Sequence, residues 1–553
     1  MQNQSFPLHM ATALTCLGTC LGLLVAAAPP LPAQVVHAGA ADGNLGTVDF
    51  QATCTPAVKD DVDTAVALLH HMMYEESRAA FDGILREDPA CAAAHWGLAT
   101  TLFQPLWPAR PDAATRERGW VAVQRARALE PATPRERLLL NATAAFFQDP
   151  EADEWWPRLE RWANALEEAH REQPSDVEIA AFYGLSRLAA GQLAEDPLAW
   201  NQRAAEILAE AHAREPLHPG LIHYTIHADD ATGRASEHLH MVEQYGEIAP
   251  DVPHALHMPS HIYVRLGDWP AVIHWNRQSA EAALAYPAGN RTSLHHVHAL
   301  DYLLYAHLQQ GDDASASAVL EEATSTGPYQ EDFASAFHLA IMPARFAVER
   351  RAWDEASDLR PNEPDYLAWD RYLWPQAVSW FARGLGAVHK GDVARAQEAE
   401  ARLLHLREQA EAAGERTFAA YIEIDRLILH GRIAHAEGEI PTAIARLTEA
   451  ANLESSVEKH PITPGALLPP NEALGDLLLE LDRPAEAGRA YEKSLDIWPG
   501  RYHSLLGAAR AARSEGQEHR AREHYRALLH VVGDAESSRP GVEEALAMTG
   551  MPE

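Results

Sequence analysis

Six histidines and one aspartate stand out for what their spacing could do: His223, His227, His254, His257, His261, His298 and Asp301. His223 and His227 recur 34 residues later as His257 and His261, and 34 residues is the length of a common helical-hairpin repeat. Imidazole is the commonest ligand for borderline metal ions, and two histidines four residues apart on a helix chelate without backbone strain. Three or four such nitrogens suit Zn²⁺ or Cu²⁺, while an added carboxylate such as Asp301 suits Fe²⁺ or leaves a coordination position open for catalysis. The second nitrogen of each ligating ring needs its own partner, and Asp229, Asp230, Asp301, Tyr224 and Tyr263 are the candidates. Met258, beside His257, points off the helix face and is not counted as a ligand.

The elements that must position these side chains follow from the same spacing. Counting a repeat from Pro253 puts Gly267 at the helix–helix turn and His254, His257 and His261 at positions two, five and nine of the first helix, all on one face. His223 and His227 take positions five and nine of the repeat before. After an insertion around Tyr286 to His296, the turn Gly311-Asp312 sets the next repeat, with His298 at position two and Asp301 at position five. Neighbouring helices pack about 10 Å apart, so rings from three successive helices can meet at one ion. The face they share is expected to form a pocket on the concave side of the array. The same residues would also serve a metal-free groove for an acidic or aromatic ligand, or pack as hydrogen-bonded core histidines. Independent core residues have no reason to share one face across repeats, which favours the metal.

The rest of the chain repeats the helical pattern. Ala/Leu/Glu/Arg-rich stretches alternate with Gly-Asp, Asp-Pro and Pro-Gly punctuation, and no alternating β pattern is found. Leu474, Gly475, Leu478, Ala487, Tyr491 and Pro499 hold the signature positions of a 34-residue repeat. Ser77, Phe81 and Pro89 match the second helix of a first unit, and Ala521 with Tyr525 a last one. On these residues the chain resembles the tetratricopeptide superfamily over most of residues 60 to 535. The fold expected is all-α, with helical hairpins stacked into an α-solenoid or superhelix. The strings His218-Pro219-Gly220-Leu221-Ile222-His223-Tyr224, His254-Ala255-Leu256-His257-Met258-Pro259-Ser260-His261-Ile262, His298-Ala299-Leu300-Asp301-Tyr302-Leu303 and Lys459-His460-Pro461-Ile462-Thr463-Pro464-Gly465 also resemble a group of large exported bacterial tetratricopeptide proteins. That resemblance implies an architecture and a compartment, not an activity. The expected division is a leader at 1–33, a linker or N-terminal segment at 34–59, helical repeats at 60–215, histidine-rich central repeats at 216–320, further repeats at 321–465, C-terminal repeats at 466–535 and a tail at 536–553.

Charge and cysteines narrow the setting. The 553 residues carry 79 acidic against 45 Lys and Arg side chains, a formal charge of −34, which offers no basic excess for nucleic acid or anionic lipid. Ala11 to Ala28 is apolar and runs into Pro29-Pro30-Leu31-Pro32-Ala33, the pattern of a cleaved export signal, although no Lys or Arg precedes it. A periplasmic or secreted location is therefore expected, with no integral membrane segment after cleavage. Leu17-Gly18-Thr19-Cys20 is followed by more of the apolar run, which argues against a lipoprotein. Cys16 and Cys20 leave with the leader, and Cys54 and Cys91 are expected to pair.

Lesser features read as structure. His70-His71 and His95-Trp96 are taken as packing, and Gln104-Pro105-Leu106-Trp107-Pro108 and Trp155-Trp156-Pro157 as aromatic plugs at helix ends. His460 to Gly465, with Pro469-Pro470, is expected to be a rigid loop over the groove. Phosphate loops, dinucleotide fingerprints, nucleophile elbows and zinc-protease helices are absent from the sequence. Three uses remain: a metal-binding protein, a metal-dependent enzyme whose site is the histidines themselves, or a scaffold whose groove holds a peptide or envelope protein.

Overall fold

A computed structural model of the chain describes residues 44–550, apart from 153, 193 and 195. The expected leader lies outside the described residues, as do Cys16 and Cys20. From Lys59 onward the chain is a succession of α-helices from Lys59–His70 to Pro540–Thr549. Among the described residues there is no β-strand, only the isolated bridges Ala288–Arg291 and Thr292–Tyr329. Consecutive helices pack as antiparallel hairpins, the tetratricopeptide-type solenoid that the repeat spacing predicts.

The turns explain the Gly-Asp punctuation. Gly267 and Gly311 have φ of +70° and +73°, the left-handed region that a side chain disfavours. The aspartate that follows each glycine caps the next helix: Asp268 accepts from the Ala271 amide at 3.1 Å and Asp312 from the Ser315 amide at 3.0 Å. Between helices, small residues admit large ones. A Cβ on Gly475 would stand 2.8 Å from the Tyr491 ring, and one on Gly507 would stand 2.2 Å from it. Tyr491 thus fills the groove between successive repeats.

The described residues ahead of the first helix are tied down. Thr47 donates its amide to the Leu217 carbonyl at 2.9 Å, Phe50 donates to Asp63 Oδ1 at 2.8 Å, and the Phe50 ring stacks on Trp96. Cys54 and Cys91 form a disulfide, as expected, with Cα atoms 4.6 Å apart. The segment read as a tail also carries a helix, Pro540–Thr549, in which Glu544 pairs with Arg510 at 2.7 Å.

The late repeats pack back onto the central ones. Val264, Trp269, Tyr302 and Tyr305 share an apolar cluster with Tyr502, Leu505 and Tyr525. Trp269 donates its indole N–H to the Gly500 carbonyl at 3.0 Å, and Arg539 pairs with Asp313 at 2.6 Å. The central helices are therefore covered by chain from two hundred residues downstream.

Candidate metal centre

The helix expected to run unbroken past His254, His257 and His261 is divided into Pro253–His257 and Pro259–Leu266. Pro259 has no amide hydrogen with which to continue the ladder. Met258 at the joint keeps helical angles, φ −56° and ψ −38°, so the three rings stay on one side. Its own side chain is buried among apolar residues with Ile222 and Ile262. His223 and His227 come from helix Pro219–Asp229, and His298 from helix Leu294–Gln309.

These six histidines meet in two triads. One ring nitrogen from each of His223, His227 and His254 lies within 4.8 Å of the others, and the same holds for His257, His261 and His298. The triads touch: the His227 and His261 rings are 5.4 Å apart, and His254 is 5.9 Å from His257. The pocket they form is closed over. Five of the six side chains are 0–2% exposed and His227 is half-buried, in a chamber roofed by Leu106, Trp107, Pro108, Pro461 and Ile462.

Hydrogen bonds from outside fix the tautomers. Asn276 donates its amide to the Val272 carbonyl at 2.8 Å, which turns its oxygen to His257 Nδ1 at 2.7 Å. His257 must donate from Nδ1, leaving a lone pair on Nε2. His261 donates from Nδ1 to Asp230 Oδ2 at 2.8 Å, so its Nε2 is a lone pair as well. These two Nε2 atoms face each other at 3.0 Å. His298 Nδ1 stands 2.8 Å from His338 Nε2, and His338 Nδ1 stands 3.1 Å from Asp301 Oδ2. The carboxylate accepts from His338, His338 accepts from His298, and His298 Nε2 is again left as the lone pair. In the other triad, His223 donates from Nδ1 to the His70 carbonyl at 2.6 Å. His223 Nε2, His227 Nε2 and both nitrogens of His254 are buried without a partner.

The electrostatics hold the rings neutral. Burial pushes the His223, His227, His254, His257 and His298 imidazoles well below their usual range, and neighbouring histidines push the same way. A proton shared between His257 and His261 is therefore unfavourable, and two lone pairs 3.0 Å apart repel unless a cation lies between them. Burial alone would push the Asp230 carboxyl up, but the Lys459 ammonium and Arg265 guanidinium hold it well below the usual range. Their contacts are 2.8 and 2.9 Å.

Asp301, read from the sequence as a seventh donor, is not among the converging groups. Its carboxylate is taken by His338 and by Arg345 Nε at 3.2 Å, so it reaches the site only through His338. Without a carboxylate donor the set is all imidazole, which fits Cu or Zn better than Fe. Of the expected outer partners, Asp230 serves His261. Asp229 instead pairs with Arg234 and His238, and Tyr224 bonds His70. Tyr263 is half-buried beside the apolar clusters.

Several participants were not read from the sequence. The His295 ring lies 5.3 Å from that of His254, tilted against it, with a buried, unpartnered Nδ1, and Asn276, His338, Lys459, Arg265 and Arg345 all support the rings. The aromatic plug containing Trp107 is core but also roof, 5.6 Å from His254 and 5.4 Å from His298. The loop expected over the groove does cover the chamber: Tyr302 donates to the Pro461 carbonyl at 2.8 Å and Arg345 to Thr463 Oγ1 at 3.1 Å. A third histidine group, His70 and His218 on Glu178, is satisfied without an ion. Both rings donate to the carboxylate at 2.9 and 3.0 Å, and His70 Nδ1 accepts from Tyr224.

No family model and no curated protein matches the chain. Among solved structures it is similar to a chain of the APC/C hetero-tetramer Cut9-Hcn1, at 14% identity over 89% of this chain and 82% of that one, with a TM-score of 0.43. It is also similar to human IFIT1, solved as a dimer with PPP-AAAA, at 13% identity over 80% of this chain and 91% of that one, with a TM-score of 0.38.

Proposed function

We propose that this chain is an exported helical-repeat protein whose central repeats hold a transition metal, Cu or Zn, on buried imidazoles. One observation carries the reading: of six histidines from three consecutive repeats, four have an Nε2 lone pair fixed by their surroundings, and four buried ring nitrogens lack any partner. Burying such groups without a ligand costs about 1–3 kcal/mol each, and an ion meets them together. Export is supported by the leader pattern and by the Cys54–Cys91 disulfide, a bond suited to an oxidising compartment.

A metal-dependent reaction is the second reading, favoured by the triad count. Three protein nitrogens leave a coordination position open, as in catalytic rather than structural zinc sites. The chamber limits what could enter to guests of water size, since its free space is about 20 Å³. A peptide or envelope protein would dock on the helical surface instead, the usual role of such arrays.

Elemental analysis of mature protein purified without a histidine tag tests the proposal. At least stoichiometric Cu or Zn is expected, reduced in His257→Ala/His261→Ala while helicity persists. Metal content unchanged in that variant, or no metal after reconstitution, would overturn it.

A further inference from the structure

We infer that the chamber holds two ions side by side, each on three imidazoles, with one small anion bridging them. The inference rests on the metal reading above and concerns how many ions there are and what else they bind.

Six donors are too many for one ion. A Zn²⁺ or Cu²⁺ ion with nitrogen ligands at about 2.0–2.1 Å takes four in tetrahedral or square geometry. One ion on His257, His261 and His298 would relieve the 3.0 Å contact between lone pairs. It would leave His223 Nε2, His227 Nε2 and both His254 nitrogens buried and unpartnered. One ion on the other triad would leave the opposed lone pairs in place. Only an ion in each triad satisfies both.

The triads are neighbours, not separate sites. His227 faces His261 at 5.4 Å, His254 faces His257 at 5.9 Å and His298 at 6.4 Å. Each three-coordinate ion keeps an open position, and the space beneath Trp107 and Ile462 borders both triads.

Charge requires the anion. Imidazole binds a metal ion in its neutral form, so two divalent ions bring four positive charges into a buried site. The nearby carboxylates are already matched: Asp230 and Glu458 by Lys459 and Arg265, and Asp301 by Arg345. No protein anion is left over among these groups to offset the ions, and uncompensated charge in low dielectric is costly. A bridging hydroxide, or a probe of similar reach such as azide, supplies it. Paired metals about 3.5–4 Å apart acting through a shared oxygen are a general device of hydrolytic and transfer chemistry.

The test is copper reconstitution of the full mature chain followed by metal counting, electron paramagnetic resonance and azide titration. Two Cu²⁺ per chain are expected, with fewer unpaired spins than copper atoms because the bridge couples them, and an azide-dependent absorption change. His254→Phe and His257→Ala/His261→Ala should each fall to about one ion and regain a full single-copper signal. His254→Phe guards against misfolding, because that ring has no hydrogen bond to lose. One ion in the wild-type chain would overturn the pair while leaving a metal protein. Two ions with full, azide-insensitive spin would overturn the bridge, and no ion would overturn the metal reading itself.

Discussion

His254 shows how a single side chain can distinguish a core residue from a ligand. It is 2% exposed and neither nitrogen has a partner, so in the metal-free protein its ring is a buried polar group at a loss. His254→Phe should therefore raise the stability of the apo protein by about 1–2 kcal/mol, read as a higher melting temperature. With metal present the sign should reverse, because the variant loses ligand-linked stabilisation. Stabilisation in both states would mark His254 as packing alone. Glu454 makes a different single-residue test. Trp498 donates to one of its oxygens at 3.0 Å, the other is buried without a partner, and burial pushes its carboxyl up to about 7. A raised carboxyl binds its proton more tightly when folded. Its contribution is full below about pH 4.5 and fades as pH rises to about 7, a loss of about 3 kcal/mol. Glu454→Gln should flatten that part of the stability–pH curve; an unchanged slope would place the titration elsewhere.

At the scale of elements, the hairpins are held by interlocking of size. Gly507→Ala would drive a methyl into the Tyr491 ring, 2.2 Å from the built Cβ, and should cost about 1–3 kcal/mol in chemical denaturation. Gly391→Ala, with no neighbour within 4 Å but φ of +81°, would show the backbone cost alone. The sequence made these elements legible because a 34-residue period, a Gly-Asp turn and a Tyr between glycines are local signals. The histidine face was legible for the same reason, since steps of three and four residues survive even the break at Pro259. What was not legible came from far along the chain. Asp301 lies on the expected helix, yet His338 and Arg345 from another helix take its carboxylate. Trp107 reaches the chamber, and Lys459 reaches Asp230, from loops whose docking no local periodicity encodes. A face that is concave in an isolated array becomes an interior once those loops close over it.

On the scale of the whole molecule, the chamber depends on one long-range clasp. The Lys459 side chain, 1% exposed, reaches Asp230 across 229 residues of sequence, and Asp230 in turn orients His261. Lys459→Ala leaves Arg265 as the one cation on Asp230 and removes the pin from the 459–465 loop. It should destabilise the fold by about 3 kcal/mol and speed metal release to a chelator by at least tenfold, followed by stopped-flow with a chromogenic chelator. An unchanged release rate would show that ions leave by another path.

That roof also sets a clock. Pro461 and Ile462 belong to chain that follows the histidines by about two hundred residues, so a newly made polypeptide presents its imidazoles before it can close over them. On the proposed metal reading, ions would enter most freely during that interval and afterwards leave only when the late repeats lift away. A protein built in this order retains what it captured while folding. Its metal would then be a permanent resident dictated by the supply where the chain matures, not a cargo handed from one partner to the next.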